Sequence, residues 1–325
     1  MSVNVTNLSG KAFLAFPEMK ELLFSELKNR FGIDIYAPEY KNAVEYGDLL
    51  YIPDYSDEIP YWCRSCMIDP VLIHFDSIKE AAGALRAIQR SWAPYQYTCF
   101  RRASLIQDNL PRVNLKPKAF PFEIPSSPIG LYTLIDSNTM IASASTSSCL
   151  PAGQIVWQED HENPPSRAYL KVQEALILAK HFFGVELPGE GQHCFEAGAC
   201  PGGWTWVLAG LGSKVFAVDR AELAPSLMSN PLVTFRAHDA FTFTPEELGH
   251  FDWVFSDVIC YPERLLKWIH VWLDSGYTKN MICTIKMQGE IDWQLVSEFA
   301  AIPDSRVVHL NYNKHELTFI HCGRS

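Results

Sequence analysis

FEAGACPGGWTWVLAGLGSKVFAVDR, residues 195–220, decides how the fold is read. An apolar run ends at Ala197. The turn Gly198-Ala199-Cys200-Pro201-Gly202-Gly203 follows, then a short apolar helix, then a second run, KVFAVD, that ends on Asp219. Strand, glycine turn, helix and strand form the opening of a doubly wound α/β sheet, which binds ligands beyond the carboxyl ends of its strands. A Walker loop requires Gly-x4-Gly-Lys-Ser/Thr, and this turn has no such lysine. A nicotinamide site carries G-x-G-x-x-G, which seats a pyrophosphate on a helix N-terminus. The spacing here is G-x-x-x-G-G with a proline inside. A ligand without phosphates suits this turn better.

Working outward, the chain alternates. A helix is expected from about Ser166 to Phe183, closed by Gly184. Strands are expected at HCFEAG, KVFAVD, LVTFRA, DWVFSD, MICTIK, RVVHLNY and ELTFIHC. Short continuous apolar runs separated by helical or loop segments predict a mostly parallel sheet. Only a short turn joins the last two runs, which is too little for a parallel crossover, so the last strand is antiparallel. Seven strands with an antiparallel last one are the plan of a Rossmann-like, class I methyltransferase sheet using S-adenosylmethionine. In that plan Asp219, ending strand two, accepts the ribose hydroxyls. Asp239, after strand three and followed by Ala240, accepts from the adenine amino group.

Before this α/β half the grammar differs. KAFLAF (11–16), LLYIPD (49–54), AFPFEI (119–124), GLYTLID (130–136) and TMIASAS (139–145) read as strands. PEMKELLFSELKNRFG reads as a helix stopping at Gly32. A second helix is expected over 76–92, capped by Asp76 or Ser77. Mixed strands and helices without strict alternation predict a small α+β domain. The polar, proline-bearing stretch WQEDHENPPS (157–166) is the expected junction, giving domains 1–156 and 157–325.

Composition excludes several classes. The 325 residues carry a net charge of −10, which argues against a general polyanion binder. No apolar run approaches the roughly 20 residues of a membrane helix, and the N-terminus lacks a signal-peptide pattern. The nine cysteines are odd in number and scattered, as in a reducing compartment, so a cytoplasmic protein is expected. Cys63-x-x-Cys66 has no second pair at zinc spacing and reads as core thiols, with no metal expected. One stretch departs from the acidic average. Arg86, Arg90, Arg101, Arg102, Arg112, Lys116 and Lys118 face a single acid, Asp108, between residues 83 and 118. Trp92, Tyr95, Tyr97 and Phe100 lie among them. Cations mixed with aromatic faces are what single-stranded nucleic acid needs, although a solvated helix face with core aromatics has the same composition.

Four ionisable residues should meet at the functional edge of the sheet. Asp257 ends strand four and Lys286 ends strand five. Glu316 opens the antiparallel last strand, and Lys171 lies in the helix before the glycine turn. In-line methyl transfer to a hydroxyl needs a group to take its proton or stabilise the alkoxide.

The ordered segments PSRAYLKVQEA, GACPGGWT, AVD, HDAF, FSD, TIK and HELTF resemble the FtsJ-like ribose 2′-O-methyltransferases with their Lys-Asp-Lys-Glu tetrad. The resemblance covers about residues 155–323, and within the family it points to ribosomal RNA of the large subunit, at a cytidine. It implies that Lys286 is the proton acceptor or alkoxide stabiliser. Asp257 and Lys171 then orient the hydroxyl and the methyl donor, and Glu316 holds the lysines together. It further implies a cofactor set of Ser166, Glu196, Gly198, Cys200, Pro201, Gly202, Gly203, Trp204, Asp219, Asp239, Ala240 and Asp257. Glu196 departs from the family's usual aspartate. Cys200 sits at a helix N-terminus, where a thiol pKa falls, but receives no covalent role. The rings of Trp204 and Trp206 are read as helix packing. The implied partner is RNA, captured by an abbreviated THUMP-like N-terminal domain that includes the basic stretch. Two rival readings remain: a nicotinamide oxidoreductase, opposed by the glycine spacing, and a catalytically silent RNA-binding relative, opposed by the complete tetrad.

Overall fold

The computed structural model describes residues 3–323. The chain forms two compact units. One runs to Lys118 and resumes over Ile124–Val156; the other takes Ala119–Glu123 and the chain from Trp157 onward.

Among the described residues, the first unit contains two sheets. One has the order Asn4–Asn7, Val71–His74, Thr139–Ser143, Gly130–Leu134, Trp92–Pro94; only the last pair is parallel. The other has the order Val44–Tyr46, Leu49–Ile52, Lys11–Ala15, Cys63–Met67, all antiparallel. The helix Lys20–Phe31 stops where expected. Gly32 adopts φ 70°, and its N–H closes the last turn on Leu27 and Lys28 carbonyls, as a left-handed glycine does after a helix. Burial pushes the Cys66 thiol on the edge strand up to about 12.

Two expectations for this half need correction. The second helix spans Ile78–Ile88 and not 76–92. Ser77 and Glu80 form its capping box, but Gln89 is already extended. Trp92 joins a strand, and its buried indole donates to the Leu85 and Gln89 carbonyls, both at 3.0 Å. AFPFEI is not a strand: Pro121, inside it, removes a ladder donor. Phe120 and Phe122 instead set their rings edge-on to Trp157, at 5.9 and 5.5 Å. That is why 119–123 belong with the second unit.

The second unit is a seven-stranded sheet among the described residues: β1 (His193–Ala197), β2 (Lys214–Asp219), β3 (Val233–Ala237), β4 (Trp253–Ser256), β5 (Asn280–Lys286), β6 (Ser305–Val308) and β7 (Glu316–Cys322). Their order is β3-β2-β1-β4-β5-β7-β6. The first five are parallel, and β7 is antiparallel to both neighbours. β6 ends four residues before the expected RVVHLNY run does. Glu174, buried on a helix, accepts from both the backbone N–H (2.8 Å) and the side-chain amide (2.9 Å) of Asn311 and so takes that segment out of the sheet.

Three helices position the site: α1 (Tyr169–Phe183), α2 (Gly203–Gly210) and α3 (Pro262–Ser275). α3 turns Leu265, Leu266, Trp268, Ile269 and Trp272 inward at helical spacing. Trp272 packs against Phe195 of β1, ring centroids 5.3 Å apart, and both are fully buried. Truncating such a tryptophan to alanine costs about 3–5 kcal/mol. That packing seats α3 against the central strand β1. No helix among the described residues is long and apolar enough to cross a membrane.

Candidate active site

Because β7 runs against β5, its first residue lies where β5 ends, and Lys286 is the register partner of Glu316. Asp257 follows β4 and donates its N–H to the Ala197 carbonyl at the end of β1. Lys171 reaches the same edge from the first turn of α1. The four side chains form one connected series. Glu316 Oε1 lies 3.2 Å from Lys171 Nζ, which lies 3.3 Å from Asp257 Oδ2. Asp257 Oδ1 lies 3.1 Å from Lys286 Nζ, which also donates to the Asp257 carbonyl at 2.7 Å. Their side chains are only 12–22% exposed. Two acids and two bases in alternation leave the series with no net charge, which makes partial burial tolerable.

Beside this series lies a cleft of about 490 Å³. Among the residues expected to bind a cofactor, Gly198, Cys200, Asp219, Asp239, Ala240 and Asp257 line it, together with Lys286. Gly198 has φ 78°, and a Cβ there would stand 2.5 Å from Val258 Cγ2. Any side chain would therefore displace the residue next to Asp257. Asp219 holds the loop: its two oxygens accept from the N–H groups of Cys200 (3.0 Å) and Ala221 (3.1 Å). Asp239 accepts from Phe241 N–H and pairs with Arg220 at 2.9 Å and Arg264 at 3.5 Å. Burial works to raise its pKa, but the Phe241 N–H and the two guanidinium groups outweigh that and hold it below the usual carboxylate range.

Other members of the expected set stand behind the cleft lining. Glu196 is buried, accepting a hydrogen bond from the Thr205 hydroxyl. Burial raises its pKa to about 8, with Asp257 and Asp219 adding to the effect. Ser166 packs its hydroxyl against Gly203, where a Cβ would approach it to 2.5 Å. Gly202, at φ 110°, leaves room for Leu227. Trp204 is buried, its indole donating to the Ala168 carbonyl at 3.0 Å, and Trp206 packs edge-on to Tyr169. Pro201 accepts from Ala224 N–H through its carbonyl. The Cys200 thiol runs against expectation: burial, then the Asp219 carboxylate, push its pKa up.

In the N-terminal unit Arg86, Arg90, Arg101, Arg112 and Lys116 are exposed, and Arg102 and Lys118 half-buried. They do not form a single row. Arg86 donates to the Asn109 carbonyl and Arg102 to the Asp76 carbonyl, so they mark opposite ends of the packed helices Ile78–Ile88 and Phe100–Asp108. The aromatics among them are mostly structural. Trp92 is core, Tyr95 accepts from Asp48 N–H, and Tyr97 donates to the Ile135 carbonyl. Phe100 alone of the four is exposed.

Sequence reasoning missed Val258, Ile259, Arg220, Arg264 and His238, which also line the cleft. Arg220 and His238 directly follow or precede expected acids, a signal that was present. Ile259 and Arg264 lie in irregular or helical chain after Asp257, where no periodicity marks them.

The pattern of the FtsJ-like methyltransferase family matches residues 164–285. A protein named ribosomal RNA large subunit methyltransferase M from Xylella fastidiosa strain 9a5c is 29% identical over 220 residues, covering 67% of this chain and 58% of that protein. Its namesake from strain M12 is 28% identical over 258 residues, covering 75% and 67%. That from Halorhodospira halophila is 36% identical over 127 residues, covering 38% and 36%. The chain thus spans roughly a third to two thirds of the length of these curated relatives. The seven-stranded sheet, the connected Lys-Asp-Lys-Glu series and the matched FtsJ-like methyltransferase pattern coincide on the C-terminal unit.

Proposed function

We propose that the protein transfers a methyl group from S-adenosylmethionine to a ribose 2′-hydroxyl of large-subunit ribosomal RNA, at a cytidine, in the bacterial cytoplasm. The observation that carries this reading is the series Glu316–Lys171–Asp257–Lys286 at the wall of the cleft. The substrate class follows the name of the relatives.

The cleft fits the cofactor. Its volume is within the range of small-molecule sites. Each Asp219 oxygen holds one backbone N–H and retains a lone pair for a ribose hydroxyl. Asp239 stands at the adenine end, where its carboxylate accepts from an amino group. Gly198 lets the loop backbone approach the amino-acid end, with Ser166, Glu196, Pro201, Gly202, Gly203 and Trp204 supporting the turn from behind. When bound, S-adenosylmethionine supplies a methyl group on a positively charged sulfur.

The chain's own residues then manage the hydroxyl. Lys286 Nζ donates to the Asp257 carbonyl at 2.7 Å and lies 3.1 Å from Asp257 Oδ1. As a neutral amine it keeps both contacts and has a lone pair left to accept the hydroxyl proton. As an ammonium it keeps both and has a third N–H for the developing alkoxide. Asp257 and Lys171 orient the reacting groups, and Glu316 balances the charge of Lys171. The N-terminal unit, with Arg86, Arg90, Arg101, Arg102, Arg112, Lys116 and Lys118, acts as an abbreviated THUMP-like RNA-capturing domain.

The test is a map of ribose methylation on ribosomal RNA from a strain lacking the gene. One large-subunit ribose should lose its methyl group, and purified protein with S-adenosylmethionine should restore it. An unchanged map overturns the proposal.

A further inference from the structure

Between Asp257 and Pro262 the chain runs through Val258-Ile259-Cys260-Tyr261. Its side chains alternate. Val258 packs over Gly198, and Cys260 is buried. Ile259 and Tyr261 are turned outward, 78% and 64% exposed, and Ile259 is the most exposed large hydrophobic among the described residues. Inward residues thus fix a loop that displays two apolar groups to solvent beside the charged series. Ile259 lines the cleft itself. Tyr261 lines a recess of about 60 Å³ with Met287 and Gln288, the residues that follow Lys286. The loops leaving Asp257 and Lys286 therefore converge on Tyr261.

Resting on the function proposed above, we infer that Ile259 and Tyr261 form the subsite for the base of the nucleotide being methylated, with the Tyr261 ring as its stacking platform. The charged series is recessed, so a ribose hydroxyl reaches Lys286 only if its nucleotide leaves the stack of its neighbours. A base taken out of its stack needs a replacement for the lost contacts, and proteins supply it with aromatic and apolar faces. A phosphate would instead seek cations, and neither side chain offers one. Stacking tolerates every base, so this subsite would hold the target without selecting its identity.

Tyr261→Ala and Tyr261→Phe test this. The Tyr261 carbonyl caps the start of α3, accepting from Arg264 and Leu265 N–H, and both variants keep that backbone role. The substrates are an RNA oligonucleotide containing the mapped nucleotide and the same RNA with that nucleotide abasic. On intact RNA, Tyr261→Ala should lose roughly tenfold or more in kcat/KM. Tyr261→Phe should stay near wild type, with cofactor affinity unchanged in both. On abasic RNA the wild type should fall to the level of Tyr261→Ala, and the difference between them should vanish. Equal activity of Tyr261→Ala and wild type on intact RNA overturns the inference. An equal loss on both substrates overturns it too, assigning the ring to the fold or to a contact elsewhere. Failure of the wild type on intact RNA is a separate result; it refutes the reaction proposed above and removes this subsite with it.

Discussion

Lys286 and Glu316 stand opposite each other in the β5–β7 register, and each reaches sideways to a different partner. Lys286 goes to Asp257 at 3.1 Å and Glu316 to Lys171 at 3.2 Å. The two pairs meet only through the Lys171–Asp257 contact. Removing Lys286 therefore opens one end of the series and leaves the Glu316–Lys171–Asp257 portion standing.

For that reason Lys286→Ala should fold and bind S-adenosylmethionine with wild-type affinity. Turnover should drop by roughly 10²–10⁴, the usual loss for a positioned acid–base group. Single-turnover methylation of RNA measures it, and near wild-type transfer would refute the role given to the lysine.

Asp219 supports both the glycine loop and the proposed ribose contact. Asp219→Ala should weaken cofactor binding by at least tenfold, since a charged acceptor is worth about 1.5–3 kcal/mol. Asp219→Asn retains one carbonyl acceptor and should lose less. Titration calorimetry with the cofactor decides; an unaltered affinity in the alanine variant removes Asp219 from the site.

In the N-terminal unit, Arg86 and Arg102 already hold helix-end carbonyls. Arg101 and Arg112 are exposed and are the better pair to reverse. Arg101→Glu with Arg112→Glu should lower RNA affinity and flatten its dependence on salt, because fewer counterions are released. Cofactor binding should not change. A salt slope equal to that of the wild type would give these arginines a purely structural part.

Glu196 makes stability depend on pH. Burial raises its pKa from 4.5 to about 8. Below 4.5 the folded and unfolded chains both hold the proton. Between 4.5 and 8 only the folded chain keeps it, so stability falls as pH rises through that window and levels off above it. A tenfold change in proton affinity is worth about 1.4 kcal/mol, so on the order of 4–5 kcal/mol is lost through this group by pH 8. Glu196→Gln should flatten that part of the curve and be the more stable protein at pH 8, with little advantage near pH 4. Urea unfolding at several pH values checks it; parallel curves for the two proteins would count against the buried, protonated carboxyl.

The C-terminal sheet was legible because its central strands are buried on both faces and read as continuous apolar runs, such as WVF and MICTI. The positions of Asp257, Lys286 and Glu316 followed from strand ends alone. The N-terminal half was less legible. Four strands that went unread, Asn4–Asn7, Val44–Tyr46, Cys63–Met67 and Trp92–Pro94, are all edge strands. Edges are short and polar or carry proline, so NVTN and WAP show no alternation. Interior Val71–His74 also went unread, being only four residues long. At the site, spacing gave no sign that Arg220 and Arg264 gather on Asp239, or that Glu196 turns away to Thr205. Those contacts depend on which segments the fold brings side by side.

Strand β7 lies between β5 and β6, although both precede it in the chain. Residues lining the cleft come from β1 to β5 and the loops that follow them, whereas Glu316 joins only when β7 pairs with β5. A molecule whose last strand has not yet docked would still possess the cofactor cleft, but Lys171 would lack its counter-charge and Lys286 its neighbouring strand. Ligand binding and catalysis would then mark two different stages of maturation, and a chain could hold its methyl donor before it could use it.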